Sequence, residues 1–130
     1  MQTFLPYPDF KKSLRSLDYR RLGKQRVEAC QIIRAIKYGG GWRNHPAVKM
    51  WRGHINALKL YHNLCIDEWI SRGYKNRMPK MKISGRVSYP SWLGKNNFHA
   101  AHRSNLLRKD QAYYKQFGWT EPPDLPYLWG

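Results

Sequence analysis

Apolar positions along the chain recur mostly at intervals of three and four, the period of an amphipathic helix. After the proline-punctuated opening LPYP, Asp9 stands where an N-cap would start a short helix through Leu17. Asp18 stands in the same relation to a longer run, DYRRLGKQRVEACQIIRAI, which ends at the Gly39-Gly40-Gly41 break. Within it Leu22, Ala29, Cys30, Ile33 and Ile36 share one side, which predicts a buried face. Arg21, Lys24 and Glu28 recur at i, i+3 and i+7 and so share another side. Pro46 suits a first helical position, and from there Val48, Trp51, Ile55, Leu58, His62, Cys65 and Trp69 step by threes and fours to Gly73, which predicts one long helix. The following stretch, RGYKNRMPKMKISGRVSYPSW, is punctuated by Pro, Gly and Ser without a helical period and reads as a loop. FHAAHRSNLLRKDQAYYKQFG reads as a last helix or pair of helices, and Trp129 with the prolines of TEPPDLPYLWG as a packed tail. The expected fold is all-α: a compact single-domain helical bundle over residues 1–130, with a long central helix and a basic loop.

Composition narrows the class of function. A chain of 130 residues with 42% hydrophobic content is the size of one domain with one core. A formal net charge of +16 implies a polyanionic partner, of which nucleic acid is the commonest, and the 15% of aromatic residues offers flat surfaces for bases. No apolar run approaches the roughly 20 residues of a membrane-spanning helix, and MQTFLPYPDF has no signal-peptide pattern, so an intracellular monomer without a membrane partner is expected. Cys30 and Cys65 lie in apolar helical stretches without CxxC spacing and are expected to be reduced and buried.

The charges are unevenly placed. Between Asp18 and Asp67 there are ten Lys and Arg residues and a single carboxylate, Glu28. An acid among Arg20, Arg21, Lys24 and Arg26 repels a nucleic acid unless it has a task there. Either it pairs with Lys24 or Arg21 on a solvated face, a contact worth roughly 0 to 1 kcal/mol, or it does chemistry on the polyanion. Between Glu68 and Asp110 ten further bases and no acid occur, with Lys80 and Lys82 in the loop; phosphate contact is the functional reading and a solvated cationic loop the alternative. His45, before Pro46, either caps that helix or reaches a phosphate. His62 falls on the apolar stripe and reads as core. Arg103 and Asn105 in HRSN are candidates for a phosphate or a base edge. His99 and His102 stand at i and i+3, but no Cys, Asp or Glu lies nearby in sequence to complete a zinc set, so no metal is expected. No P-loop, GxGxxG or HExxH occurs.

The order and spacing of YRRLGKQRV, GHINALKLY, EWISRGY and YYKQFG resemble the pyrimidine-dimer DNA glycosylase and abasic-site (AP) lyase family, the phage endonuclease V-like enzymes. LGKQRVE, GGGWRNHPAVKMW and HRSNLLRKD resemble its bacterial and phage members more closely still. The resemblance implies an all-helical domain that binds duplex DNA, extrudes a nucleotide near a lesion, cleaves the glycosidic bond and nicks the strand, without a metal or diffusible cofactor. His54 matches the GH of the family's long helix and is either a DNA contact or a packed histidine. Tyr113, Tyr114, Lys115, Phe117 and Trp119 correspond to the family's C-terminal recognition run, where stacking on a distorted step aids selectivity; sealing the core is the alternative.

Such enzymes attack C1′ with their own N-terminal α-amine, expel the base and form an imine, after which the phosphate is eliminated. An α-amine has a reference pKa of roughly 7.7 to 8.0, well below that of lysine, so a neutral nucleophile exists at ordinary pH. A nearby carboxylate stabilises the developing cations and moves protons. The resemblance puts Arg21 where the phage enzyme has its essential Glu and leaves Glu28, about two turns later, to supply the carboxylate. Gln2 is bulky and would leave Met1 in place as the source of the amine. The candidate catalytic residues are thus Met1, Glu28 and Arg21. The candidate DNA contacts are Arg20, Lys24, Arg26, His45, His54, Lys80, Lys82, Arg103, Asn105, Tyr113, Tyr114 and Lys115. The expected function is a DNA glycosylase with AP lyase activity on damaged or modified pyrimidines; the competing classes are a non-catalytic DNA- or RNA-binding protein that keeps the fold, and a metal-dependent nuclease.

Overall fold

Asp9 and Asp18 precede the first two helices, as the pattern predicts, yet only one of them caps. Helix α1 spans Phe10–Ser16, and the Asp9 carboxylate accepts the Lys12 N–H at 2.9 Å. Helix α2 spans Tyr19–Tyr38 and stops at Gly39, whose φ of 77° belongs to the left-handed region. Asp18 occupies the N-cap position of α2, but its carboxylate takes the Tyr114 hydroxyl at 2.5 Å and Arg21 Nη1 at 3.2 Å instead. The computed structural model describes residues 1–130 and is helical, without strands.

The single long helix predicted from Pro46 to Gly73 is two. Helix α3 spans Pro46–Lys49 and α4 spans Ile55–Ser71. Gly53 lies between them at φ 83°, a conformation closed to a helix interior. The apolar period passes through this break unaltered, because Val48, Trp51, Leu58, His62 and Cys65 are all buried, on either side of it. Helix α5 spans Asn96–Lys109 and α6 spans Gln111–Tyr114, followed by a 3₁₀ turn over Lys115–Phe117. Asp110 divides them and caps α6 by accepting the Tyr113 N–H at 3.2 Å. No helix is long and apolar enough to cross a membrane.

The core forms where α2 packs on α4. Leu22, Ala29, Ile32 and Ile33 meet Leu58, Tyr61 and Cys65 in one apolar cluster. Cys30 and Ile36, expected inside, are half-buried at its edge, and both cysteines are free. Gly23 allows the helices to approach: a Cβ there would stand 3.0 Å from the Trp69 ring. That ring is held from other sides by Tyr74, stacked at 4.3 Å, and by the Arg26 guanidinium at 4.4 Å.

Two irregular segments are fixed by side chains. The basic loop after α4 is stapled to that helix: Asn56 Nδ2 donates to the Ser84 and Arg86 carbonyls, Lys59 Nζ to that of Lys82, and Asn63 exchanges two bonds with Met81. The N-terminal segment runs through the core, with Gln2, Thr3, Phe4 and Leu5 all buried. His102 Nδ1 accepts the Leu5 N–H at 2.9 Å, and His99 Nδ1 donates to the Leu5 carbonyl at 2.7 Å while its Nε2 accepts from Gly94. The Trp51 indole donates to Thr3 Oγ1 at 3.0 Å.

Two stability predictions follow from this packing. Gly23→Ala is expected to lower stability by about 1 kcal/mol in urea melts, because crowding a held ring costs about 1 to 3 kcal/mol and exceeds the helix-propensity gain of about 1. A stabilised variant would refute the close approach. Acid is expected to weaken the fold through the neutral histidines. Burial first, and the neighbouring His99 second, push His102 down to about 3, and burial lowers His99 and His62 as well. An unfolded histidine titrates near 6.5, so unfolding takes up a proton at His102 between about pH 6.5 and 3. The contribution of His102 is therefore complete above pH 6.5 and declines as pH falls, by about 1.4 kcal/mol per pH unit, with His99 and His62 acting in the same direction. Denaturant titrations at pH 7 and pH 5 test this, and equal stabilities at the two would contradict it.

Candidate active site

A cleft of about 880 Å³ opens where the two ends of the chain meet the start of α2. Met1 and Gln2 enter from the N-terminal segment; Arg20, Arg21, Lys24, Gln25 and Glu28 come from α2. His45 contributes from the start of α3, Lys109, Asp110 and Tyr113 from the α5–α6 junction, and Tyr127 and Trp129 from the tail. The helical spacing of Arg21, Lys24 and Glu28 thus places all three on one wall.

Gln25 sits buried at the root of this wall with its amide fully engaged. Its Oε1 accepts the Phe4 N–H at 2.8 Å and faces the Tyr61 hydroxyl at 2.7 Å. Its Nε2 donates to the Gln2 carbonyl and to Glu28 Oε2, both at 3.0 Å. These partners fix which end is oxygen, since only the oxygen can accept from Phe4. The Tyr61 hydroxyl also lies 2.9 Å from the Phe4 carbonyl, and burial drives the phenol well above its ordinary pKa, keeping it a donor. One amide nitrogen therefore holds both the residue next to Met1 and the Glu28 carboxylate.

The three carboxylates of the cleft have different occupations. Asp18 is paired with Arg21 and bonded to Tyr114, and Asp110 caps α6. Glu28 is half-buried, bonded to Gln25 and ion-paired with no lysine or arginine. The surface pairing with Lys24 or Arg21 that the sequence left open is absent, and Arg21 is turned to Asp18. His45 caps α3, its Nδ1 accepting the Ala47 N–H at 3.0 Å, and its ring meets that of Trp129 edge to face at 5.6 Å. Its pKa is lowered first by burial and then by the positive charge of the Met1 amine, with Glu28 acting in the opposite sense. Amine, carboxylate and imidazole all line this cleft.

Other sequence candidates lie elsewhere. Arg26 turns away, over Trp69, and donates to Asn76 Oδ1 at 2.6 Å. His54 faces the Ser88 carbonyl at 3.1 Å, Lys80 is 2.5 Å from Asp67, and Lys82 and Lys115 are exposed outside the cleft. Arg103 is engaged by Glu121, at 2.8 and 3.1 Å, and by the Pro6 carbonyl. Asn105 and Tyr114, expected as DNA contacts, are both inside the fold. Asn105 is buried, its Nδ2 donating to Ala101, and Tyr114 is buried between Asp18 and Trp119, stacked on the latter at 5.5 Å. Sequence reasoning missed Gln25, although a lone glutamine in the apolar step Leu22, Gln25, Ala29 was a usable signal. It also missed Tyr127 and the second role of Trp129, which packs on the core and lines the cleft at once.

A family model described as pyrimidine dimer DNA glycosylase matches residues 1–82, from the N-terminal segment into the basic loop. Neither the curated proteins nor the solved structures contain a match to the chain.

Gln25→Leu tests the clamp. It would leave the Phe4 N–H and the Gln2 carbonyl buried without partners, at about 1 to 3 kcal/mol each, so thermal or urea unfolding is expected to show a loss of at least about 2 kcal/mol. A loss below about 1 kcal/mol would mean that the N-terminal segment is held by other means.

Proposed function

The chain belongs to the pyrimidine dimer DNA glycosylase family, and from that premise we propose that it removes a damaged or modified pyrimidine from duplex DNA and then nicks the strand, with the Met1 α-amine as nucleophile and Glu28 as the assisting carboxylate. The observation that carries this reading is the Gln25 side chain, whose Nε2 bonds both the Gln2 carbonyl and Glu28 Oε2 at 3.0 Å.

The free amine attacks C1′ of the deoxyribose, and the C1′–N bond to the base breaks as the leaving base takes up a proton. The C1′–O4′ bond then opens, O4′ is protonated, and an iminium links C1′ to the Met1 nitrogen. Glu28, unopposed by any cation, stabilises the positive charge on the sugar and accepts the C2′ proton. Loss of that proton expels the 3′ phosphate and breaks the strand. Water hydrolyses the imine and restores the amine. Arg20, Lys24 and Lys109 supply positive charge for the flanking phosphates, and Arg21 does so while held by Asp18.

Three measurements on one preparation test the assignment. Borohydride added to the protein with abasic duplex DNA is expected to trap a covalent complex, and intact mass with peptide mapping should locate the adduct on Met1; an adduct on an internal lysine sinks the N-terminal mechanism. Residues added before Met1 should suppress trapping. Glu28→Gln is expected to slow nicking on the order of 100-fold or more while DNA binding is kept or slightly tightened, because an anion leaves a phosphate-facing wall. Nicking at the parental rate would remove Glu28 from the mechanism. Absence of trapping with binding retained would identify a non-catalytic DNA-binding protein.

A further inference from the structure

The cleft is lined by basic residues of α2 and α5 and by two aromatic residues of the tail, a part of the chain that the family model does not reach. Tyr127 and Trp129 lie beyond residue 82, on a tail strapped to α5. Arg108 Nε donates to the Pro123 carbonyl at 2.8 Å and its Nη2 to that of Leu125 at 2.7 Å. Ser104 Oγ donates to the Pro122 carbonyl and accepts the Leu125 N–H at 3.0 Å. The strap leaves the Tyr127 and Trp129 rings nearly parallel, at 14° with centroids 5.6 Å apart, and both line the cleft. Tyr127 is 38% exposed, while its tail neighbours Leu125, Leu128 and Trp129 are half-buried.

The other aromatic rings of the cleft are differently engaged. Tyr19 stacks on Tyr74 outside the cleft and its hydroxyl accepts from Arg20 Nε at 3.1 Å. Tyr113 stands edge-on to Tyr114 with its hydroxyl 3.4 Å from the Leu17 carbonyl. Trp129, by contrast, touches His45, which lines the cleft together with Met1 and Glu28. We infer that Tyr127 and Trp129 form the surface that receives the extruded base, a flat modified pyrimidine, while Arg20, Arg21, Lys24 and Lys109, which line the same cleft, face the phosphates. The inference rests on the glycosylase reading, because Tyr127 and Trp129 share the cleft with Met1 and Glu28. It assigns the choice of base to the tail, separately from the bond-breaking groups of the N-terminal segment and α2.

The test uses a duplex with a central 5-iodouracil·guanine mismatch, in which a pyrimidine is easily extruded and cross-links under long-wave ultraviolet light to an aromatic ring stacked on it. Peptide mapping of the full-length protein is expected to find the cross-link on Tyr127 or Trp129. Trp129→Leu and Tyr127→Leu, which keep an apolar side chain and lose the flat face, should each lower the yield at least about fivefold, as loss of one stacking contact implies. Circular dichroism checks that they fold; if Trp129→Leu does not, the more exposed Tyr127→Leu and the wild-type map decide. Cross-linking to Tyr19, Tyr113 or any other residue, or none at all, overturns the inference. Borohydride trapping on abasic DNA, run in parallel, separates the two ideas. Trapping without a tail cross-link leaves the glycosylase and removes this base surface; a tail cross-link without trapping keeps the surface and removes the imine chemistry.

Discussion

The buried amide of Gln25 is the constraint on which the site depends. A peptide segment passing through an apolar core must have its N–H and C=O groups answered, since each unpaired one costs about 1 to 3 kcal/mol. Gln2 to Leu5 pass through such a core without helix or sheet to answer them. Gln25 supplies an acceptor for Phe4 and a donor for Gln2, and His102 and His99 do the same for the N–H and C=O of Leu5. The position of Met1 is thereby set by the core rather than by a surface contact. Because the same Gln25 nitrogen also bonds Glu28, the packing that stabilises the fold orients the carboxylate too.

Charge pairing explains why Glu28 stays free in a chain of net charge +16. Asp18 draws the Arg21 guanidinium back toward the helix start, and Lys24, one turn before Glu28, makes no ion pair with it either. Asp18 is in turn held by the buried Tyr114 hydroxyl, whose phenol burial keeps well above its ordinary pKa. Tyr114 thus bears on the cleft without lining it, by holding the Asp18 that pairs with Arg21. Its place in a cluster with Trp119 and Phe117 is core packing put to that end.

The helices, the basic loop and the shared face of Arg21, Lys24 and Glu28 were legible in the sequence because each is a local pattern. Periodicity reports which side chains are buried, and it is silent on whether the backbone between them is continuous. Trp51 and Leu58 are buried in step, yet Gly53 turns the chain between them. Asn105 and Tyr114 look like recognition residues because polar and aromatic side chains suit DNA, and only long-range partners such as Asp18, 96 positions away from Tyr114, reveal their structural use. Gln25 differs from these. A glutamine on an apolar stripe announces an internal polar task, although the sequence does not say that the task is to hold the chain's own start.

The N-terminal segment and the tail both reach the cleft as irregular chain, whose loosening would open it. Helix α5 opposes this at both ends. Its buried side carries His99, His102, Ser104 and Asn105 among the apolar residues, a composition that weakens its amphipathic pattern. His99 and His102 grip Leu5, and Arg103 bridges the Pro6 carbonyl to Glu121. Ser104 and Arg108 secure the tail from Pro122 to Leu125. The basic run HRSNLLRK is therefore spent largely on backbone carbonyls, not on an external anion. The cleft's positive charge is left to Arg20, Arg21, Lys24 and Lys109, while the rest of the helix keeps Met1 and Trp129 in the same place.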